Sequence, residues 1–107
     1  MQVLKFGGSS VANSTNMNKV IAIVRNAVAN DRTVVVSSAI SGATDALLEI
    51  GRKAKTGDDS YLALIEQLHQ RHNSIIDELI PQEESEAIRE RCNDLFNSLT
   101  EICKGVY

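Results

Sequence analysis

Aromatic residues are scarce in this chain: two phenylalanines, two tyrosines and no tryptophan among 107 residues. Cations are not in excess, and the formal net charge is −3. Without a basic stripe or a series of stackable rings, nucleic acid is not an expected partner. No apolar run approaches the roughly 20 residues of a membrane-spanning helix, so no membrane partner is expected. No charged stretch followed by an apolar one opens the chain, so no secretory signal is visible and the expected location is cytoplasmic. The only cysteines are Cys92 and Cys103, with no Cys-x-x-Cys spacing. Both fall in one predicted helix, roughly 16 Å apart along its axis, which is too far for a disulfide. Their spacing is close to three turns. Both thiols should face one side and read as buried core sulfur.

The rest is ordinary for a globular protein, with 43% hydrophobic and 23% charged residues, and disorder is not expected. The length suits one small domain or part of a larger one.

Val3 to Lys5 is predicted as a short strand. From about Asn13 to Asn30, the apolar residues Met17, Val20, Ile21, Val24, Ala27 and Val28 recur at helical spacing. Thr33-Val34-Val35-Val36 is a β-branched run suited to a strand covered on both faces, as in a parallel sheet. Strand, helix and strand of this length make a βαβ unit with a right-handed crossover. A helix then uses Ala43, Leu47, Ile50 and Ala54, and ends near Thr56-Gly57. Asp58-Asp59-Ser60 starts the next, which carries Tyr61, Ile65, Leu68, Ile75, Ile76 and Leu79 and stops at Ile80-Pro81. A last helix opens with Glu83-Glu84-Ser85-Glu86. Its stripe is Ile88, Cys92, Leu95, Leu99, Ile102 and Cys103, and Gly105 is its expected end. These last two helices should form an antiparallel hairpin. Residues 1–57 are thus expected to form a βαβα part and residues 58–107 a helical part. Two strands are few for a self-sufficient sheet, which points to a fragment or to a chain that needs a partner.

The stretch Lys5-Phe6-Gly7-Gly8-Ser9-Ser10 joins the first strand to the first helix. Two glycines let backbone approach an anion closely. Amides at a helix start suit a phosphate. Lys5 adds a full charge, and Ser9 and Ser10 offer hydroxyls to cap the helix. The glycine spacing is neither that of a P-loop nor that of the dinucleotide fingerprint. The plainer explanation is a tight turn. A second loop, Ser37-Ser38-Ala39-Ile40-Ser41-Gly42-Ala43-Thr44-Asp45, leaves the second strand at the same sheet edge, where open α/β folds bind ligands. Here the plainer explanation is helix capping by Ser41, Thr44 or Asp45. His69 and His72, three apart on a helix, have the spacing of a metal pair but lack a third ligand, and read better as hydrogen-bonded residues of a half-buried face. Asp58-Asp59 and the Glu83–Glu86 cluster read as helix starts.

The wording of both loops resembles a known family. Lys5-Phe6-Gly7-Gly8-Ser9-Ser10-Val11 is similar to the first motif of the aspartate kinases, members of the amino-acid-kinase superfamily. Val35-Val36-Ser37-Ser38-Ala39-Ile40-Ser41-Gly42-Ala43-Thr44-Asp45 is similar to the second, with Ser37 where a further valine is usual. The helical part, including Leu68-His69-Gln70-Arg71-His72, resembles that of the bifunctional aspartokinase–homoserine dehydrogenases. The resemblance implies an α/β fold: the start of the three-layer amino-acid-kinase fold, followed by the helical hairpin. It implies ATP-dependent phosphorylation of the L-aspartate side-chain carboxylate, with Mg2+, and a homo-oligomer for the full-length protein. Lys5, Gly7, Gly8 and Ser9 would meet the ATP phosphates, with Lys5 also catalytic. Ser38, Ala39, Gly42 and Thr44 would line the aspartate pocket. Further family motifs lie outside these residues, so the chain is expected to be inactive alone. The alternatives are an acetylglutamate- or glutamate-kinase type, or a non-enzymatic anion-binding or helical interaction module.

Overall fold

The computed structural model describes all 107 residues. The chain is α/β, with two parallel strands and four α-helices. It divides into two compact units, Met1–Gly42 and Ala43–Tyr107.

The first unit is a β-α-β element. Strand β1 (Gln2–Phe6) and strand β2 (Thr33–Ser37) pair in parallel, Gln2 opposite Thr33 and Phe6 opposite Ser37. Helix α1 (Ser14–Asn30) connects them. Gln2 Nε2 donates to the Ala27 carbonyl of α1 at 3.3 Å. Since side chains alternate along a strand, Gln2, Leu4 and Phe6 share the α1 side, and Val3 and Lys5 take the other.

Two details depart from expectation. Ser9 and Ser10 do not cap α1, because the chain first makes a 3-10 turn, Gly8–Val11. Asn13 is the cap; its Oδ1 accepts from the Asn16 amide at 2.9 Å. The valines of β2 are also not covered on both faces: Val34, Val35 and Val36 are 44%, 43% and 46% exposed. In a two-stranded sheet each strand is an edge, and this unit has only one α-helix to lay over it.

The second unit is helical. Helix α2 (Ala43–Lys55) buries Ala43, Ile50 and Ala54. Helix α3 (Tyr61–Leu79) buries Tyr61, Ile65, Leu68 and Ile76. Helix α4 (Glu86–Val106) buries Cys103. α2 packs on both α3 and α4. α3 and α4 run antiparallel, since contacts pair early α3 with late α4. Tyr61 meets Tyr107, His69 stacks on Phe96 with centroids 4.5 Å apart, and Asp77 pairs with Arg89.

α4 opens at Glu86, three positions later than Glu83. Pro81 leads into a separate 3-10 turn, Gln82–Glu84, closed by buried Ser85. The Ser85 hydroxyl donates to the Gln82 carbonyl at 2.9 Å and accepts from Arg89 Nε at 2.9 Å. Gly105 does not end α4, which runs on to Val106. Cys92 and Cys103 are both free, but only Cys103 is buried; half-buried Cys92 has its thiol pKa raised by desolvation.

The turn between α2 and α3 is pinned by Asp58. Its carboxylate accepts from the Ser60 hydroxyl at 2.7 Å and the Ser60 amide at 3.0 Å, and pairs with Lys53 at 3.2 Å. These contacts, those from Ser60 foremost, lower its pKa to about 2. A carboxylate depressed when folded stabilises the fold above its unfolded pKa, and that stabilisation is lost as pH falls through the folded value. In a carbon-detected NMR titration, the Asp58 carboxyl is expected to titrate near pH 2. The Ser60 amide resonance should move with it. A midpoint at the ordinary aspartate value would show that the turn is not held this way.

Candidate functional site

Both loops named from the sequence leave the C-terminal ends of adjacent parallel strands. The Ser38 amide donates to the Phe6 carbonyl at 2.9 Å, extending the ladder one step past the strands. Beyond this point the loops touch at Gly8. A Cβ on Gly8 would lie 3.4 Å from the Ala39 carbonyl oxygen and 3.5 Å from Ser41 Cα. A methyl there would only just fit, and a branched side chain would drive the loops apart. Gly8→Val is therefore expected to cost about 1–3 kcal/mol through overpacking. Urea unfolding followed on a first-unit probe measures it. An unchanged midpoint would mean that the loops do not rely on this contact.

Gly7 is different. A Cβ there would meet nothing within 4 Å, and its φ of −78° is open to any residue. Neither packing nor backbone conformation within the chain requires glycine at this position. Close approach by a group from outside is a remaining physical use for it. Gly42 is the reverse case. Its φ of 82° lies in the left-handed region, so the turn before α2 itself requires glycine.

Lys5 lies one residue before the end of β1, exposed and in none of the ion pairs. Ser9 is exposed, and its carbonyl accepts from Asn16 Nδ2 at 3.0 Å. Ser38 and Ala39 are exposed on the second loop, and the Ser37 hydroxyl donates to the Ser38 carbonyl at 3.0 Å. The first unit thus brings Lys5, Gly7, Gly8, Ser9, Ser38, Ala39 and Gly42 to one sheet edge. Thr44 lies in the first turn of α2, in the second unit, and is exposed.

Sequence reasoning missed Asn13 and Asn16, which anchor the first loop to α1. The signal was present: a side-chain acceptor at the cap, bonded to the amide three residues on, is the standard N-terminal pattern. An open groove of about 420 Å³ lies on the α1 side of the sheet, lined by Phe6, Ser10, Lys19 and Ile23 among others. Lys5 alternates to the opposite side, so this groove is not where its charge acts. His69 donates from Nε2 to Asn93 Oδ1 at 2.7 Å, and His72 from Nδ1 to the Leu68 carbonyl at 2.8 Å. No three His, Cys, Asp or Glu side chains converge to hold a metal.

The geometry is that of two loops meeting at the C-terminal edge of a parallel strand pair. Compared with known proteins, residues 1–102 match the profile of the amino acid kinase family. The chain belongs to the amino acid kinase family. Among curated members it is 34% identical to bifunctional aspartokinase/homoserine dehydrogenase 1, chloroplastic, of Arabidopsis thaliana, over 98% of this chain and 11% of that protein. It is 30% identical to bifunctional aspartokinase/homoserine dehydrogenase 2, chloroplastic, of the same plant, again over 98% of this chain and 11% of that protein. The chain therefore spans about a tenth of the length of these relatives. The crystal structure of Clostridium acetobutylicum aspartate kinase superposes with a TM-score of 0.67 and 26% identity, over 92% of this chain and 23% of that one. The observed βαβ unit and hairpin correspond to the start of the family fold. No helix is long and apolar enough to cross a membrane.

Proposed function

We propose that this chain is the N-terminal part of an aspartate kinase and supplies its phosphate loop and part of its aspartate pocket. The observation that carries the reading is the contact of the two loops at Gly8, which makes one continuous edge of the two motifs. The relatives named above are aspartokinases, which favours this reading over an acetylglutamate- or glutamate-kinase type.

In the reaction, a side-chain carboxylate oxygen of L-aspartate attacks the γ-phosphorus of ATP. The bond to the β–γ bridging oxygen breaks, and 4-phospho-L-aspartate and ADP result. Such transfers rest on positioning and charge neutralisation more than on covalent help. The amides of Gly7, Gly8 and Ser9 would face the phosphates, with no side chain on either glycine to hold them off. Lys5 would neutralise charge on the transferring phosphoryl group. Ser38, Ala39 and Thr44 would hold aspartate by hydrogen bonds, and Gly42 would shape the turn between them. Mg2+ would arrive with the ATP phosphates and neutralise part of their charge. Residues 1–107 are read as inactive alone, homo-oligomeric as part of a full-length kinase, and cytoplasmic. The plant relatives named above are chloroplastic.

Calorimetric titration with ATP, beside an assay for ATP-dependent aspartyl hydroxamate, tests this. The expected result is nucleotide binding without turnover. A folded chain that binds no nucleotide overturns the reading. Turnover of N-acetylglutamate or glutamate in place of aspartate moves it to another amino-acid kinase.

A further inference from the structure

The first loop carries two adjacent glycines, Gly7 and Gly8, and glycine has the widest backbone freedom of any residue. At Gly7 nothing within 4 Å of a Cβ position crowds the chain. Freedom of this kind lets a peptide unit turn over. The N–H and C=O of a trans peptide point in opposite directions. A turned unit would therefore offer a carbonyl oxygen where the loop should offer an amide. An anion is held by the one and repelled by the other.

The Ser9–Ser10 peptide is held at both ends. Its N–H, on Ser10, donates to the Gly7 carbonyl at 3.1 Å. Its C=O, on Ser9, accepts from Asn16 Nδ2 at 3.0 Å. The first bond also sets the Gly7–Gly8 peptide: with the Gly7 carbonyl drawn into the turn, the Gly8 amide points out of it. Of the two bonds, only the second comes from outside the loop. Asn16 is half-buried in the first turn of α1, and its own amide donates to Asn13 Oδ1 at 2.9 Å. The cap of α1 thus seats Asn16, and Asn16 seats the loop. The helix itself does not call for asparagine here, since alanine is the better helix former.

We propose that Asn16 is a positioning residue: its side-chain amide locks the first loop with amides, rather than carbonyls, toward an oligophosphate. It acts through Ser9 and not by contact with phosphate. This rests on the assignment of Lys5–Ser10 as the phosphate loop.

Sodium tripolyphosphate and ATP, each titrated into the isotope-labelled chain and read from backbone amide shifts, test the proposal beside Asn16→Ala. Circular dichroism and urea midpoints check each fold. Asn16→Leu, which keeps the bulk without the donor, stands in if the alanine variant does not fold. Affinity is expected to fall about three- to tenfold, the contribution of one hydrogen bond. The factor should be the same for both ligands, since only their phosphates meet the loop. The urea midpoint should not fall with it, because alanine suits α1 better than asparagine. In the free variant, backbone nitrogen relaxation should show lower order at Gly7, Gly8 and Ser9 than in wild type. A variant that binds tripolyphosphate as well as wild type overturns the proposal. A loss confined to ATP overturns it too, by placing the effect at the nucleoside. So does a loss matched by a lower urea midpoint with loop order unchanged, which would make Asn16 a structural residue of α1. A folded wild-type chain that binds neither ligand fails differently: it removes the phosphate loop itself, and the proposal with it.

Discussion

Lys5→Ala is expected to leave the fold intact and to reduce ATP affinity about ten- to hundredfold. The fold should survive because Lys5 is exposed and none of the ion pairs includes it. The strand bonds of β1 are made by backbone and do not depend on the side chain. The loss of affinity follows from charge. A hydrogen bond from an ammonium to a phosphate oxygen contributes about 1.5–3 kcal/mol, and each 1.4 kcal/mol is a factor of ten. Lys5→Arg should recover only part of it, because a planar guanidinium does not replace a compact ammonium held against amides. Calorimetry on the wild-type chain and both variants measures this. Equal affinity for wild type and Lys5→Ala would remove Lys5 from the phosphate site.

Ile50→Ala should be the most destabilising single change in the helical unit. Ile50 is 0% exposed and sits in α2, which packs on both α3 and α4. Truncating such a residue removes transfer free energy and leaves a cavity, about 2–5 kcal/mol together. That is a large share of a small domain's stability. The control lies two positions away. Leu48 is 68% exposed, and Leu48→Ala should change stability by no more than about 0.5 kcal/mol. Urea midpoints of the two variants read the difference. Comparable losses would mean that the α2 face assigned to the core is wrong.

The elements themselves were legible because periodicity is a strong signal. The three-and-four spacing of Met17, Val20, Ile21 and Val24 marked α1, and the β-branched run marked β2 to within a residue. Caps were less legible. Ser9 and Ser10 are good capping residues, but the chain inserts a 3-10 turn before α1, and Asn13 takes the role. Glu83-Glu84 looks like a helix start, and only the buried Ser85 bonds show why α4 waits until Glu86. The α4 stripe was readable as apolar, yet periodicity does not say which apolar residues find a neighbour. Leu95 and Ile102 do not, whereas Cys103 does.

At the site, the two loops and their shared sheet edge were visible in the order of strands and glycines. The difference between Gly7 and Gly8 was not. It depends on where the second loop passes: Gly8 faces Ala39 and Ser41, while Gly7 faces open space. Nor does a sequence show that Gly42 takes a left-handed φ, which assigns it to the turn as well as to the proposed pocket edge.

The most direct test of the central claim is a titration of the isotope-labelled chain with ATP, followed through its backbone amide resonances. If the first loop holds the ATP phosphates of an aspartate kinase, shifts will concentrate at Lys5–Ser10, with smaller ones at Ser37–Gly42, which the first loop touches at Gly8, and will shrink in the Lys5→Ala variant. Shifts centred elsewhere, or none at saturating nucleotide in a folded chain, would contradict it.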